Sequence, residues 1–102
     1  MTTKQESSTV LERERLVSKP PSLYKVILLN DDYTTMEFVL EVLTAFFSMN
    51  IERATQIMLK IHHEGSAVCG IYPKDIAETK TIQVSEFATQ HGHPLKCHMK
   101  EN

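Results

Sequence analysis

Tyr24-Lys25-Val26-Ile27-Leu28-Leu29-Asn30-Asp31-Asp32-Tyr33-Thr34 decides how the rest of the chain is read. Its first six residues form a β-prone apolar run, with Pro21 and Ser22 before it and Asn30, Asp31 and Asp32 after it, which predicts a buried strand. Thr34 followed three residues later by Glu37 has the spacing of a capping box. Tyr33 and Phe38 stand where a hydrophobic staple would cross it, so a helix is expected to start there. Met36, Val39, Leu40, Leu43 and Phe47 then recur on one helical face until Ser48 to Asn50 interrupt them.

Working outward, Asn50 is placed to cap a second helix with Ala54, Ile57, Met58 and Ile61 on its inner face and Gly65 as its stop. Residues 66–72 alternate, with Ala67, Cys69 and Ile71 on one side, and read as a second strand. Pro73 suits the start of a third helix over about residues 74–90. That helix is expected to bury Ile76, Ala77, Val84, Phe87 and Ala88 and to turn Asp75, Glu78 and Lys80 to solvent. Gly92 and Pro94 end it, and a last strand faces Leu95, Cys97 and Met99 inward and Lys96, His98 and Lys100 outward. The order β-α-α-β-α-β predicts an α+β, two-layer sandwich: a three-stranded sheet with three helices. Residues 1–21 are polar, alternate in charge at Glu12, Arg13, Glu14 and Arg15, and end in two prolines. They read as a flexible N-terminal extension to a core domain over 22–102.

At 102 residues and 41% hydrophobic content the chain supports one small core. It has no stretch of about 18 to 20 apolar residues for a membrane helix and no secretory leader, so a cytoplasmic location is expected. A formal net charge of −2 gives no electrostatic footprint for nucleic acid or an anionic membrane. In that setting Cys69 and Cys97 read as buried free thiols.

Asn30, Asp31 and Asp32 make a local acceptor patch, with no Lys or Arg between Lys25 and Arg53. Asn and Asp are ordinary turn formers, and carboxylates near a helix start are stabilised by its dipole. Strand alternation, however, continues a line from Leu28 to Asn30 and Asp32 on one side, with Leu29 and Asp31 on the other. Met36 and Val39 approach the same place from the first helix, and His62 borders the apolar stripe of the second, four residues after Met58. An amide oxygen, a carboxylate and a neutral imidazole around an apolar hole suit an ammonium attached to an apolar side chain, which is what the first residue of a polypeptide presents.

His91, His93, Cys97 and His98 lie close in sequence, but Cys97 and His98 project to opposite faces of a strand and cannot both bind one zinc ion. Neither cysteine has an evident activating neighbour, and the sequence has no phosphate-binding glycine loop and no Gly-x-Ser-x-Gly elbow. No cofactor is expected.

The run from Tyr24 to Thr34, with Met36-Glu37-Phe38-Val39, Glu52-Arg53-Ala54-Thr55, Met58 to His62 and Ala77-Glu78-Thr79-Lys80, resembles the ClpS adaptor family over about residues 20–99. The resemblance implies a non-enzymatic adaptor that recognises N-terminal Leu, Phe, Tyr and Trp and delivers their bearers to the ClpA unfoldase for degradation by ClpP. It implies that Asn30, Asp32 and His62 hold the free α-amino group, with Asp31 helping indirectly or binding the adjoining peptide backbone. Leu28, Leu29, Thr34, Met36, Val39, Met58, Ile61 and Leu95 would line the side-chain pocket, Met36 gating against β-branched residues. Asp75 and Lys80 would dock on the N-terminal domain of the unfoldase. Thr35 stands where many family members carry proline, and threonine is expected to loosen the loop slightly.

Two other readings differ in class. A docking module like the C-terminal domain of the ribosomal stalk protein would share the fold but would not need Asn30 and Asp32 paired with His62. A metal-dependent hydrolase would use Asp31, Asp32 and His62 as ligands, which leaves the apolar rim unexplained.

Overall fold

The computed structural model describes residues 21–102; the extension expected over 1–21 falls, through residue 20, outside the described residues. The elements are β1 (Leu23–Leu29), α1 (Met36–Phe46), α2 (Ile51–Glu64), β2 (Ser66–Pro73), α3 (Lys74–Gln90) and β3 (Lys96–Glu101), in the expected β-α-α-β-α-β order. β1 is the central strand of a three-stranded antiparallel sheet, with β2 and β3 at the edges. The helices cover one face, and Val26, Leu28, Val42, Leu43 and Val84 are fully buried between the layers. No helix among the described residues is long and apolar enough to cross a membrane.

The start of α1 differs from the expected capping box. Thr35, not Thr34, is the N-cap: its backbone is extended at φ −72° and ψ 151°, and its hydroxyl accepts the Phe38 N–H at 3.1 Å. Thr34 is occupied by Asp31 instead, and Tyr33 is 80% exposed and staples nothing. Thr35 is thus the N-cap rather than the first helical residue, and its hydroxyl satisfies a helix-end N–H that a proline side chain could not. At the other junction Asn50 accepts the Arg53 N–H at 2.8 Å. Gly65 closes α2 in the left-handed region at φ 94°.

A register shift between Val26 and Ile27 corrects the reading of β2. Ile27 pairs with Val68 and Val26 with Gly70, so Cys69 is an extra residue on the β2 side. Ala67 and Cys69 are buried as expected, but beyond the bulge the alternation inverts. Ile71 turns outward and is 48% exposed, while Tyr72 packs against the core. A Cβ at Gly70 would collide with the Tyr72 ring, so a larger residue there would have to displace that side chain.

α3 buries Ala77, Val84 and Ala88 with Phe87 packed beside them, but Ile76, about 100° round the helix from Ala77, is 44% exposed. Lys80 also departs from expectation. Its ammonium is half-buried and donates to the Phe46 carbonyl at 2.6 Å, closing the C-terminal end of α1, and it lies 5.6 Å from the Tyr72 ring centroid. Cys69 and Cys97 are free and buried, and burial pushes their thiols up to about 12 and about 11.

Candidate binding pocket

Three segments converge at one end of the sandwich. Asn30 leaves β1 with its N–H donated to the Gly65 carbonyl at 2.9 Å, which ties the start of the loop to the end of α2, one turn from His62. Between them opens a pocket of about 210 Å³. The loop contributes Asn30, Asp31, Asp32 and Thr34, α1 contributes Met36 and Val39, and α2 contributes Met58, Ile61 and His62. Its floor is apolar because Val39, Met58 and Ile61 belong to the core, and its rim is polar because Asn30, Asp32 and His62 are exposed. A cation carried on an apolar stem would meet acceptors at the mouth and hydrocarbon below.

Asp31 has a separate task. Its Oδ1 accepts the N–H groups of Tyr33 at 2.9 Å and Thr34 at 2.7 Å, and its Oδ2 accepts the Thr34 hydroxyl at 2.6 Å. Partial desolvation pushes its carboxyl up, but these hydrogen bonds, with the charge of His93 nearby, outweigh that and leave it below the usual carboxylate range. Asp31 thus locks the turn that presents its neighbours, while Asp32 is directed to solvent at the mouth.

Of the twelve residues expected at the binding site, the structure brings nine to this pocket and leaves three outside. Leu28 is fully buried behind the wall, and Leu95, 5% exposed, is also part of the core. Leu29 follows the inward-facing Leu28 and therefore points to the opposite face of the sheet, as strand alternation requires. Asp75 is exposed on α3, far in sequence from the pocket, with Lys80 turned toward α1 as described.

The histidines near Cys97 are placed by aromatic packing. His93 stacks on Phe38 with ring centroids 4.1 Å apart, Phe38 stacks on Phe87 at 5.3 Å, and His91 contacts the Phe87 carbonyl through Nδ1 at 2.9 Å. Cys97 is in the core and His98 is exposed. The stacking of His93 on Phe38 was not legible in the sequence; its only signal was a histidine just before Pro94.

The family model described as ATP-dependent Clp protease adaptor protein ClpS matches residues 19–98. The chain is 57% identical over its full length, and over the full length of the relative, to the ATP-dependent Clp protease adapter protein ClpS of Nitrosospira multiformis. It is 58% identical over 96 residues, 94% of this chain and 92% of the relative, to that of Burkholderia cenocepacia. Among solved structures it is similar to Agrobacterium tumefaciens ClpS2 bound to L-phenylalaninamide, with a TM-score of 0.78 and 43% identity, covering 80% of this chain and 99% of that one.

Proposed function

The chain belongs to the ClpS family of ATP-dependent Clp protease adaptor proteins, and from that premise we propose that it captures proteins by a free N-terminal Leu, Phe, Tyr or Trp. Such proteins are then delivered to the ClpA unfoldase for degradation by ClpP. The observation that supports this reading is one pocket in which Asn30, Asp32 and His62 surround an opening floored by Val39, Met58 and Ile61, with Met36 at its side. The ligand of the Agrobacterium protein, L-phenylalaninamide, carries the two features such a pocket would read, an α-ammonium and a large apolar side chain.

In this reading the Asp32 carboxylate, the Asn30 amide oxygen and a neutral His62 imidazole accept from the three N–H groups of the ammonium. Each charge-assisted bond contributes about 1.5–3 kcal/mol, and burying the side chain adds roughly the same. An internal residue lacks the ammonium, and a small or charged first residue leaves the floor unfilled. Asp31 acts through the turn it holds, and Met36, at the first helical position and 45% exposed, is placed to screen branched side chains. The protein acts in the cytoplasm as a carrier, performs no bond cleavage itself, and docks on the N-terminal domain of ClpA through the α3 surface that includes Asp75 and Lys80.

A panel of ten-residue peptides differing only in the first residue, measured by fluorescence anisotropy against the isolated protein, tests the reading. Leu, Phe, Tyr and Trp should bind at micromolar or tighter affinity, with Val, Ile, Ser and Glu at least tenfold weaker. Equal affinity for all would reject it.

A further inference from the structure

The sheet has a second face, turned away from the helices, and its composition is lopsided. In register across it, Lys25 stands between Ile71 and Lys100, and Ile27 between Val68 and His98. Leu29 lies next to Lys96 in the same way. Each row thus runs from β2 on one side to a basic residue on β3 at the other. Leu23, Val68 and Ile71 are 45%, 38% and 48% exposed. The chain as a whole has more Asp and Glu than Lys and Arg, 13 against 11, yet no carboxylate occupies an outward position on any of the three strands, while three lysines do.

We propose that this face docks an acidic, amphipathic segment of a partner protein, its carboxylates on Lys25, Lys96 and Lys100 and its apolar side chains on Ile27, Val68 and Ile71. Lysine on an edge strand guards against strand-to-strand aggregation, which accounts for Lys96 and Lys100 on β3. It does not account for Lys25 on the central strand, directly opposite Lys100. Like charges facing each other across a sheet destabilise it, and carboxylates from a partner would relieve that pair. The central part of the face is aliphatic, since Tyr24 and Tyr72 pack toward the core. A sheet that binds single-stranded nucleic acid instead presents aromatic rings for bases to stack on. Lys25 and Lys100, direct partners across the two strands, have Cα atoms about 5 Å apart. That spacing is close to the separation of acidic residues on successive turns of one helix face.

The test uses the full-length, ¹⁵N-labelled chain and an N-acetylated helical peptide carrying Glu at i and i+4 with Leu beside them. Acetylation keeps the peptide from supplying the amine that the pocket reads, so failure here leaves the N-terminal recognition reading standing. Saturable amide shifts are expected on the outward residues of the three strands. Binding should weaken at least tenfold in Lys96→Glu/Lys100→Glu, severalfold in Lys25→Gln, and at least tenfold when the peptide's Glu residues are replaced by Gln. Binding of a free-amine Leu peptide should be unchanged in these variants. The proposal is overturned by absent or displaced shifts, by affinity that ignores both variants, or by tighter binding of a poly-dT oligonucleotide or phosphatidylserine vesicles to the same face. Shifts on that face that follow protein concentration alone would assign it to a second copy and overturn the proposal equally.

Discussion

Asp31 holds Thr34 twice, Oδ1 accepting its backbone N–H at 2.7 Å and Oδ2 its hydroxyl at 2.6 Å. The two residues form a rigid bracket between the end of β1 and the N-cap of α1, and the pocket rim is built on it. Replacing Asp31 by Ala removes both bonds and the one to Tyr33. A loss of about 1–2 kcal/mol in stability is expected, or about 4–8 °C in Tm for each kcal/mol, together with severalfold weaker peptide binding. Asp31→Asn, which keeps one acceptor oxygen, should fall between. Because folding lowers the Asp31 carboxyl below its ordinary 3.8, its contribution is fully present above that pH and is lost as pH falls through the folded value. Urea titrations between pH 3 and 6 should show the gap between wild type and Asp31→Ala narrowing toward the acid end.

Thr35 supplies the helix cap that the sequence pattern placed on Thr34. Thr35→Ala should lower stability by about 1 kcal/mol and Thr35→Ser should restore most of it, since serine keeps the accepting hydroxyl. Thermal melts of the two variants check this; identical Tm values for Ala and wild type would remove the cap from the description.

Under the proposed docking, variants of Lys80 and Asp75 separate stability from partner binding on one helix. Lys80→Met removes the ammonium from the Phe46 carbonyl and from Tyr72, so it should cost about 1–2 kcal/mol in stability as well as weakening docking to the ClpA N-terminal domain. Asp75 is exposed, and Asp75→Ala should leave stability within about 0.5 kcal/mol while weakening the same docking, measured by calorimetric titration.

Cys69 and Cys97 make the fold sensitive to alkali. Burial holds the folded thiols at about 12 and about 11 against an ordinary 9.0, so above pH 9 the unfolded chain loses these protons first. Stability should therefore be at its full value below pH 9 and fall as pH rises toward the folded values, by up to about 1.4 kcal/mol per pH unit for each thiol. A Cys69→Ala/Cys97→Ala chain should lose that part of the slope between pH 9 and 11, and the native thiols should resist alkylation at pH 8.

Much of this was legible because the informative signals were local and periodic. Asn50 and Gly65 mark their helix ends by side-chain chemistry and by a positive φ, and the inward line of Leu95, Cys97 and Met99 needed only alternation. What escaped the sequence depended on which of several partners a residue takes, in two cases a partner distant along the chain. The extra residue at Cys69 exists only in pairing with β1, and one such residue was enough to exchange Ile71 for Tyr72 at the core. Lys80 reads as a solvated charge until the last carbonyls of α1 are placed beside it, 34 residues away. Thr34 and Thr35 are both competent caps, and the choice was made by Asp31, which engages the first and leaves the second. At the pocket the lining from Asn30 to His62 was readable by number, whereas Leu29 was assigned to it against the strand alternation that turns it to the other face.

The most direct measurement compares two Leu-initiated peptides of one sequence, the first with a free α-amine and the second N-acetylated, for binding to the wild-type protein. Acetylation removes the ammonium and leaves Asp32 without its counter-charge, so affinity should fall at least 100-fold, and the free-amine advantage should shrink sharply in Asp32→Ala and His62→Ala. Equal affinity of the two peptides for the wild-type protein would contradict recognition of the chain terminus at this pocket.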